Sequence, residues 1–149
     1  MVWGAFSFYG KAKLAFTSSK MNSEEYTDVL DRHLLPFLEE IHPQCAVFQQ
    51  DNASIHTSRR TKEWLASKNI NLLDWPACSP DCNPIENLWG MLVRKIYSNG
   101  RQFDNMNELK AAIVHAWRNI QKNNLENLVA SMQSRIFEVI RRNGGVIDY

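Results

Sequence analysis

Residues 47–89, VFQQDNASIHTSRRTKEWLASKNINLLDWPACSPDCNPIENLW, carry two apolar runs, a helical interval and two well-separated acids. The first run, Ala46-Val47-Phe48, stops at Gln49-Gln50-Asp51-Asn52, as a short buried strand does at its end. Ser58 to Ser67 has helical spacing, and Ile70 to Trp75 is a second apolar run. Asn83-Pro84-Ile85-Glu86 reads as a helix start, with an N-cap, proline at the first helical position and an acid in the first turn. Strand, helix, strand, loop, helix is half of an α/β sheet. Thirty-four residues separate Asp51 from Glu86. Because strand ends and helix starts can converge, the two carboxylates are candidates for one metal site.

Each acid also has a plainer reading. Glu86, at the third helical position, can fold back on the backbone N–H of Asn83 as a capping box. Asp51 followed by Asn52 can form an Asx turn. Neither role excludes metal binding, since a carboxylate held by one oxygen still presents the other.

The strings QQDNASIHTS and LLDWPACSPDCNPIENLW resemble the two hallmark blocks of DDE transposases of the Tc/mariner superfamily, in the branch that spaces its last two acids 34 apart and ends in Glu. MVWGAFS and KMNSEEY are similar to that family as well, so the resemblance covers nearly the whole chain. It implies a ribonuclease-H-like α/β fold in which Asp51 is the second catalytic acid and Glu86 the third. It also implies Mg²⁺ (or Mn²⁺) as cofactor, double-stranded DNA as partner (transposon ends and target), a possible homodimer, and work in the nucleus. Two ions about 3.5–4 Å apart would serve phosphodiester hydrolysis and strand transfer. Such hard cations prefer oxygen ligands, which suits carboxylates and not the neighbouring cysteines.

The family's first acid has no counterpart in these residues. In the family it lies on a central first strand, between the hairpin that MVWGAFS opens and the strand bearing Asp51. The expected architecture is therefore a partial catalytic domain over 1–100, lacking that strand, and a C-terminal helical extension over 101–149. A sheet without its central strand has open edges, which are prone to aggregation. The expectation is that these residues alone are not a competent transposase. Two other classes stay open: a remnant retained for nucleic-acid or protein binding, and an unrelated nuclease that recruits Asp74 or Asp81 as its missing acid.

Composition bounds the rest. A chain of 149 residues, 44% hydrophobic, can bury a core. Its net charge of +1 gives no global field for nucleic acid, so DNA contact must come from a local patch. The most basic interval follows Asp51 and holds His56, Arg59, Arg60 and Lys62, the candidate DNA-binding residues. The plain alternative is a solvated helix face, and His56 can equally bond a loop carbonyl. Cys45, Cys78 and Cys82 are odd in number, which fits a reducing compartment, and they fall short of a four-ligand zinc site. No apolar run is long enough to span a membrane.

Elsewhere, Val2 to Thr17 reads as a hairpin turning at Gly10-Lys11. Asn22 and Glu25 open a helix striped by Tyr26, Val29, Leu30, Leu34, Phe37 and Leu38, which Pro36 should kink or split, with a break near Leu35 and a short resumption to Ile41. Cys45 to Gln50 reads as a strand buried on both faces. Three prolines make Trp75 to Pro84 a stiff loop, where Asp81 should bond the backbone rather than a metal. Three amphipathic helices follow: Pro84 to about Tyr97, striped by Leu88, Trp89, Leu92, Val93 and Ile96; then one with Met106, Leu109, Ile113, Ala116, Trp117 and Ile120. The last carries Leu125, Leu128, Val129, Met132, Ile136, Val139 and Ile140, and Asn143-Gly144 caps it. Arg141 and Arg142 are further candidates for DNA.

Overall fold

The computed structural model describes residues 1–41, 46–74, 80–145 and 147. By contacts the chain divides into two compact units, one of residues 1–5 and 11–79, the other of residues 6–10 and 80–149. The 100/101 boundary drawn above separates a block of family-like sequence from a helical tail, which is a different division.

The first unit opens on an antiparallel pair, β1 (Val2–Trp3) and β2 (Ala15–Phe16), in register Val2 to Phe16 and Trp3 to Ala15. Bonds from Thr17 N–H to Met1 O and from Ala12 N–H to Ala5 O extend the pairing. Helix α1 (Ser23–Val29) starts at a complete capping box. Asn22 Oδ1 accepts from the N–H groups of Glu24 and Glu25, and Glu25 Oε2 accepts from Asn22 N–H.

The expected break at Pro36 does not occur. Leu30–Leu34 widens into a π turn, with Leu35 N–H reaching back to Leu30 O, and helix α2 (Leu35–Glu40) continues from it. Proline lacks an N–H and its ring crowds the carbonyl four residues back; one wider turn absorbs both defects without ending the helix. Tyr26, Leu30 and Leu34 therefore stay on one face and form the core with Met21 and Leu65.

After β3 (Val47–Phe48) come α3 (Ser54–Thr57), α4 (Arg59–Ser67) and β4 (Asn71–Leu72), which pairs with β3 in parallel, Val47 to Asn71 and Phe48 to Leu72. The short α3 was not foreseen. Trp3, Phe48, Ile55, Trp64 and Ile70 pack around the core, so both sheets lean on the same cluster. Burial of β3 on both faces is not found: Val47 is 58% exposed, and Leu72 of the paired β4 is 40% exposed. Among the described residues this sheet has two strands, too few to cover a second face, and it shares no ladder with β1–β2.

The second unit begins with a 3₁₀ turn, Pro80–Cys82, and then holds α5 (Pro84–Ile96), α6 (Met106–Arg118) and α7 (Lys122–Arg141). Leu88, Leu92, Ile96, Ala116, Trp117, Ile120 and Leu125 are buried, and Trp89 stacks on Trp117 at 5.5 Å between centroids. Val93 and Met106, expected inside, are exposed, as are Ile136 and Ile140 of α7. Arg135 takes the buried line instead, because acceptors meet it there: its Nε donates to Ser131 Oγ and its Nη1 to Asp81 O at 2.7 Å. Asn143 at φ 50° closes α7, with Gly144 N–H on Val139 O and Asn143 N–H on Ile140 O, the paired bonds of a Schellman end.

Candidate active site

Asp51 belongs to the first unit, just past β3. Its Oδ1 accepts from Ala53 N–H at 3.0 Å, so the Asx turn is present. The same oxygen is met by His56 Nδ1 at 2.5 Å. Both of these bonds fall on Oδ1, the side chain is 61% exposed, and among the described residues Oδ2 accepts no hydrogen bond.

His56, which the sequence left between a loop carbonyl and DNA, is thus on the acid itself. Its ring lies against Tyr26, centroids 4.4 Å apart. Tyr26 Oη donates to Gln50 Oε1 at 2.7 Å, and Gln50 Nε2 donates to the His56 carbonyl. Burial pushes the Tyr26 hydroxyl well above the usual phenol range; a bond from Trp3 opposes this and the nearby Asp51 carboxylate adds to it. Tyr26 consequently stays a donor. Nothing in the sequence marked Tyr26 or Gln50 as part of this cluster, since one is a stripe residue of a helix and the other an ordinary strand-end polar residue.

The basic interval is less bare than its composition implies. Arg59 pairs with Glu63 and Arg60 with Glu24, each at 3.2 Å, while Lys62 is exposed. Exposed pairs of this kind contribute little and yield readily to a phosphate. In the second unit, Arg141 and Arg142 both face Glu138, whose carboxyl is held below its usual range by the Arg141 guanidinium.

Glu86, also in the second unit, lies in the first turn of α5 and is exposed. Asn83 Oδ1 caps the helix by accepting from Ile85 N–H, and no capping box closes as it does at α1. Among the described residues the Glu86 carboxylate has no hydrogen-bond partner. Asp81 is spent on backbone, as expected: Oδ1 accepts from Cys82 N–H and Oδ2 from Ile147 N–H at 2.9 Å. Burial, with the Asp81 carboxylate, pushes the Cys82 thiol up against an opposing pull from Arg135, so it stays protonated. Cys45, Cys78 and residues 75–79 of the stiff loop lie outside the described residues.

As donors, Asp51 and Glu86 suit a hard divalent cation: both are exposed carboxylates with oxygens not taken by the protein. No group of three or more His, Cys, Asp or Glu side chains gathers among the described residues. Within the described residues no helix is long and apolar enough to cross a membrane.

The sequence pattern of the DDE superfamily endonucleases matches residues 1–110, and the chain belongs to that family. Within it the chain stands with the Tc/mariner transposases. All 149 residues align with the transposable element Tc3 transposase of Caenorhabditis elegans at 48% identity, and with the Tc1 transposase of the same organism at 34%. The chain spans about half the length of these relatives, 45% of the first and 54% of the second. The fold matches the catalytic domain of Mos1 mariner transposase with a TM-score of 0.86 at 18% identity, over 99% of this chain and 75% of that one. Its ribonuclease-H-like α/β class is as the sequence implied. Mos1 catalytic domain has also been solved with Raltegravir and Mg, at a TM-score of 0.79 over 83% of that chain.

Proposed function

We propose that these residues are the part of a Tc/mariner-type transposase catalytic domain that supplies its second and third acids, Asp51 and Glu86. The observation that carries this reading is the 48% identity to the Tc3 transposase over all 149 residues. Asp51 past the end of β3 and Glu86 in the first turn of α5 would each give carboxylate oxygens to Mg²⁺ or Mn²⁺. Bound there, the cations would activate a water or 3′-hydroxyl and stabilise the leaving oxygen in an in-line displacement at phosphorus. The chain's own part is to hold the two acids and to receive the DNA backbone. Lys62 would meet phosphate directly, Arg59 and Arg60 by releasing their exposed partners, and His56 through its Nε2 edge. The partners are transposon-end and target duplexes, with the chain as one half of a homodimer, and the place of work is the nucleus.

By themselves the 149 residues lack a counterpart of the first acid and would leave a supercoiled plasmid uncut in Mg²⁺ or Mn²⁺. Grafted in place of the matching residues of the Tc3 transposase, they should support metal-dependent nicking. Asp51→Asn or Glu86→Gln should then lower it by roughly a thousandfold or more. A folded graft whose nicking ignores both substitutions would contradict the proposal. DNA binding that survives both without any response to metal would point instead to a retained binding module.

A further inference from the structure

Four residues of the first unit gather around Asp51. Tyr26, 1% exposed, donates to Gln50; Gln50 donates to the carbonyl of His56; the His56 ring rests on Tyr26; and His56 Nδ1 and Ala53 N–H converge on Asp51 Oδ1. The turn that carries His56 is itself fastened. Buried Thr61 donates to Ile55 O at 2.7 Å, and Ser58 caps α4 from below by accepting Thr61 N–H. An ionised carboxylate can only accept, so the bond to Asp51 requires the proton of the neutral ring to sit on Nδ1. A short aspartate at the end of a two-stranded sheet would otherwise rotate freely about χ1 and χ2.

We propose that His56 is a positioning residue for Asp51: its Nδ1–H fixes Oδ1, so that Oδ2 is presented to the cation, and Tyr26 and Gln50 hold the imidazole in place to do so. The inference rests on the reading of Asp51 as a metal ligand and adds the residues that aim it. Groups that orient a ligating side chain typically change metal affinity by about ten- to a hundredfold when removed. His56→Phe keeps a ring against Tyr26 and loses the donor. His56→Asn places an amide N–H near the position of Nδ1.

The test has two readouts on the intact 149-residue chain, neither of which depends on activity. Ring ¹⁵N shifts, recorded above the ordinary histidine titration range, report the tautomer. The Nδ1–H form is expected, relaxing towards the Nε2–H form in Asp51→Ala; an Nε2–H ring in the unaltered chain overturns the proposal. Mn²⁺ titration then reads the broadening of the Asn52 and Ala53 amides. His56→Phe should weaken binding by about tenfold or more, with an otherwise unchanged amide spectrum, and His56→Asn should recover most of it. Equal affinity in the unaltered chain and His56→Phe overturns the positioning role while leaving the metal reading intact. Absence of Mn²⁺ broadening near Asp51 in the unaltered chain overturns both.

Discussion

Tyr26 shows how a side chain that looks like core packing acquires a second duty. Its ring fills the first unit's core, while its hydroxyl ties Gln50, and through Gln50 the turn that bears His56. Burial favours the protonated phenol, so its folded pKa lies above the ordinary value of about 10. The sign follows: this contribution to stability is fully present below about pH 10 and is lost as the pH rises beyond it. Tyr26→Phe removes the titration. In urea unfolding, the stability of the unaltered chain relative to Tyr26→Phe should be larger at pH 8 than at pH 11. A difference that does not change between these pH values would mean that the buried hydroxyl ionises as it does in water. The Asp51–His56 contact belongs to the same scale and was not legible in sequence. Residues five apart answer to no helical or strand period, and only the Asx turn at Ala53 brings them together. The places of Asp51 after β3 and of Glu86 in the first turn of α5 were legible, because each sits at a boundary between an apolar run and turn chemistry.

Elements with local causes were readable in advance. The Asn22 box, the Asn83-Pro84 start of α5 and the Asn143-Gly144 end of α7 each need only neighbours within four or five residues. What failed depended on partners distant in sequence. Pro36 was absorbed by a π turn because both flanking segments bury residues on the same core, and breaking the helix would have cost that packing. The apolar stripe of α7 was drawn by period alone; Leu125 is buried as expected, but Ile136 and Ile140 are exposed and Arg135 is buried instead, its partner Asp81 being 54 residues away in sequence. Arg135 joins α7 to the 3₁₀ turn that precedes the Asn83 cap and Glu86, so the second unit uses its last helix to hold the start of α5. Arg135→Ala should cost about 2–4 kcal/mol, from a cavity plus an unpaired Asp81 carbonyl. Urea unfolding of the substituted chain checks this; a loss under about 0.5 kcal/mol would show that the turn is held by other means.

At the scale of the whole molecule, Asp51 lies in one unit and Glu86 in the other. Each unit builds its acid separately: a clamped carboxylate after β3, and an unclamped one on the first turn of a capped helix. The ribonuclease-H-like class was visible from the order of elements and the resemblance of two blocks. Open strand faces such as Val47 and Leu72 were not, since an apolar run in sequence does not say how many strands will cover it. The account stands on the proposal that Asp51 and Glu86 each give carboxylate oxygens to a divalent cation. Titration of Mn²⁺ into the 149-residue chain, followed by paramagnetic broadening of backbone amides, tests this directly. Signals flanking Asp51 and signals flanking Glu86 should broaden as Mn²⁺ is added, the first set losing the effect in Asp51→Asn and the second in Glu86→Gln. Amides flanking either acid that stay sharp, or that broaden equally after its substitution, would contradict it.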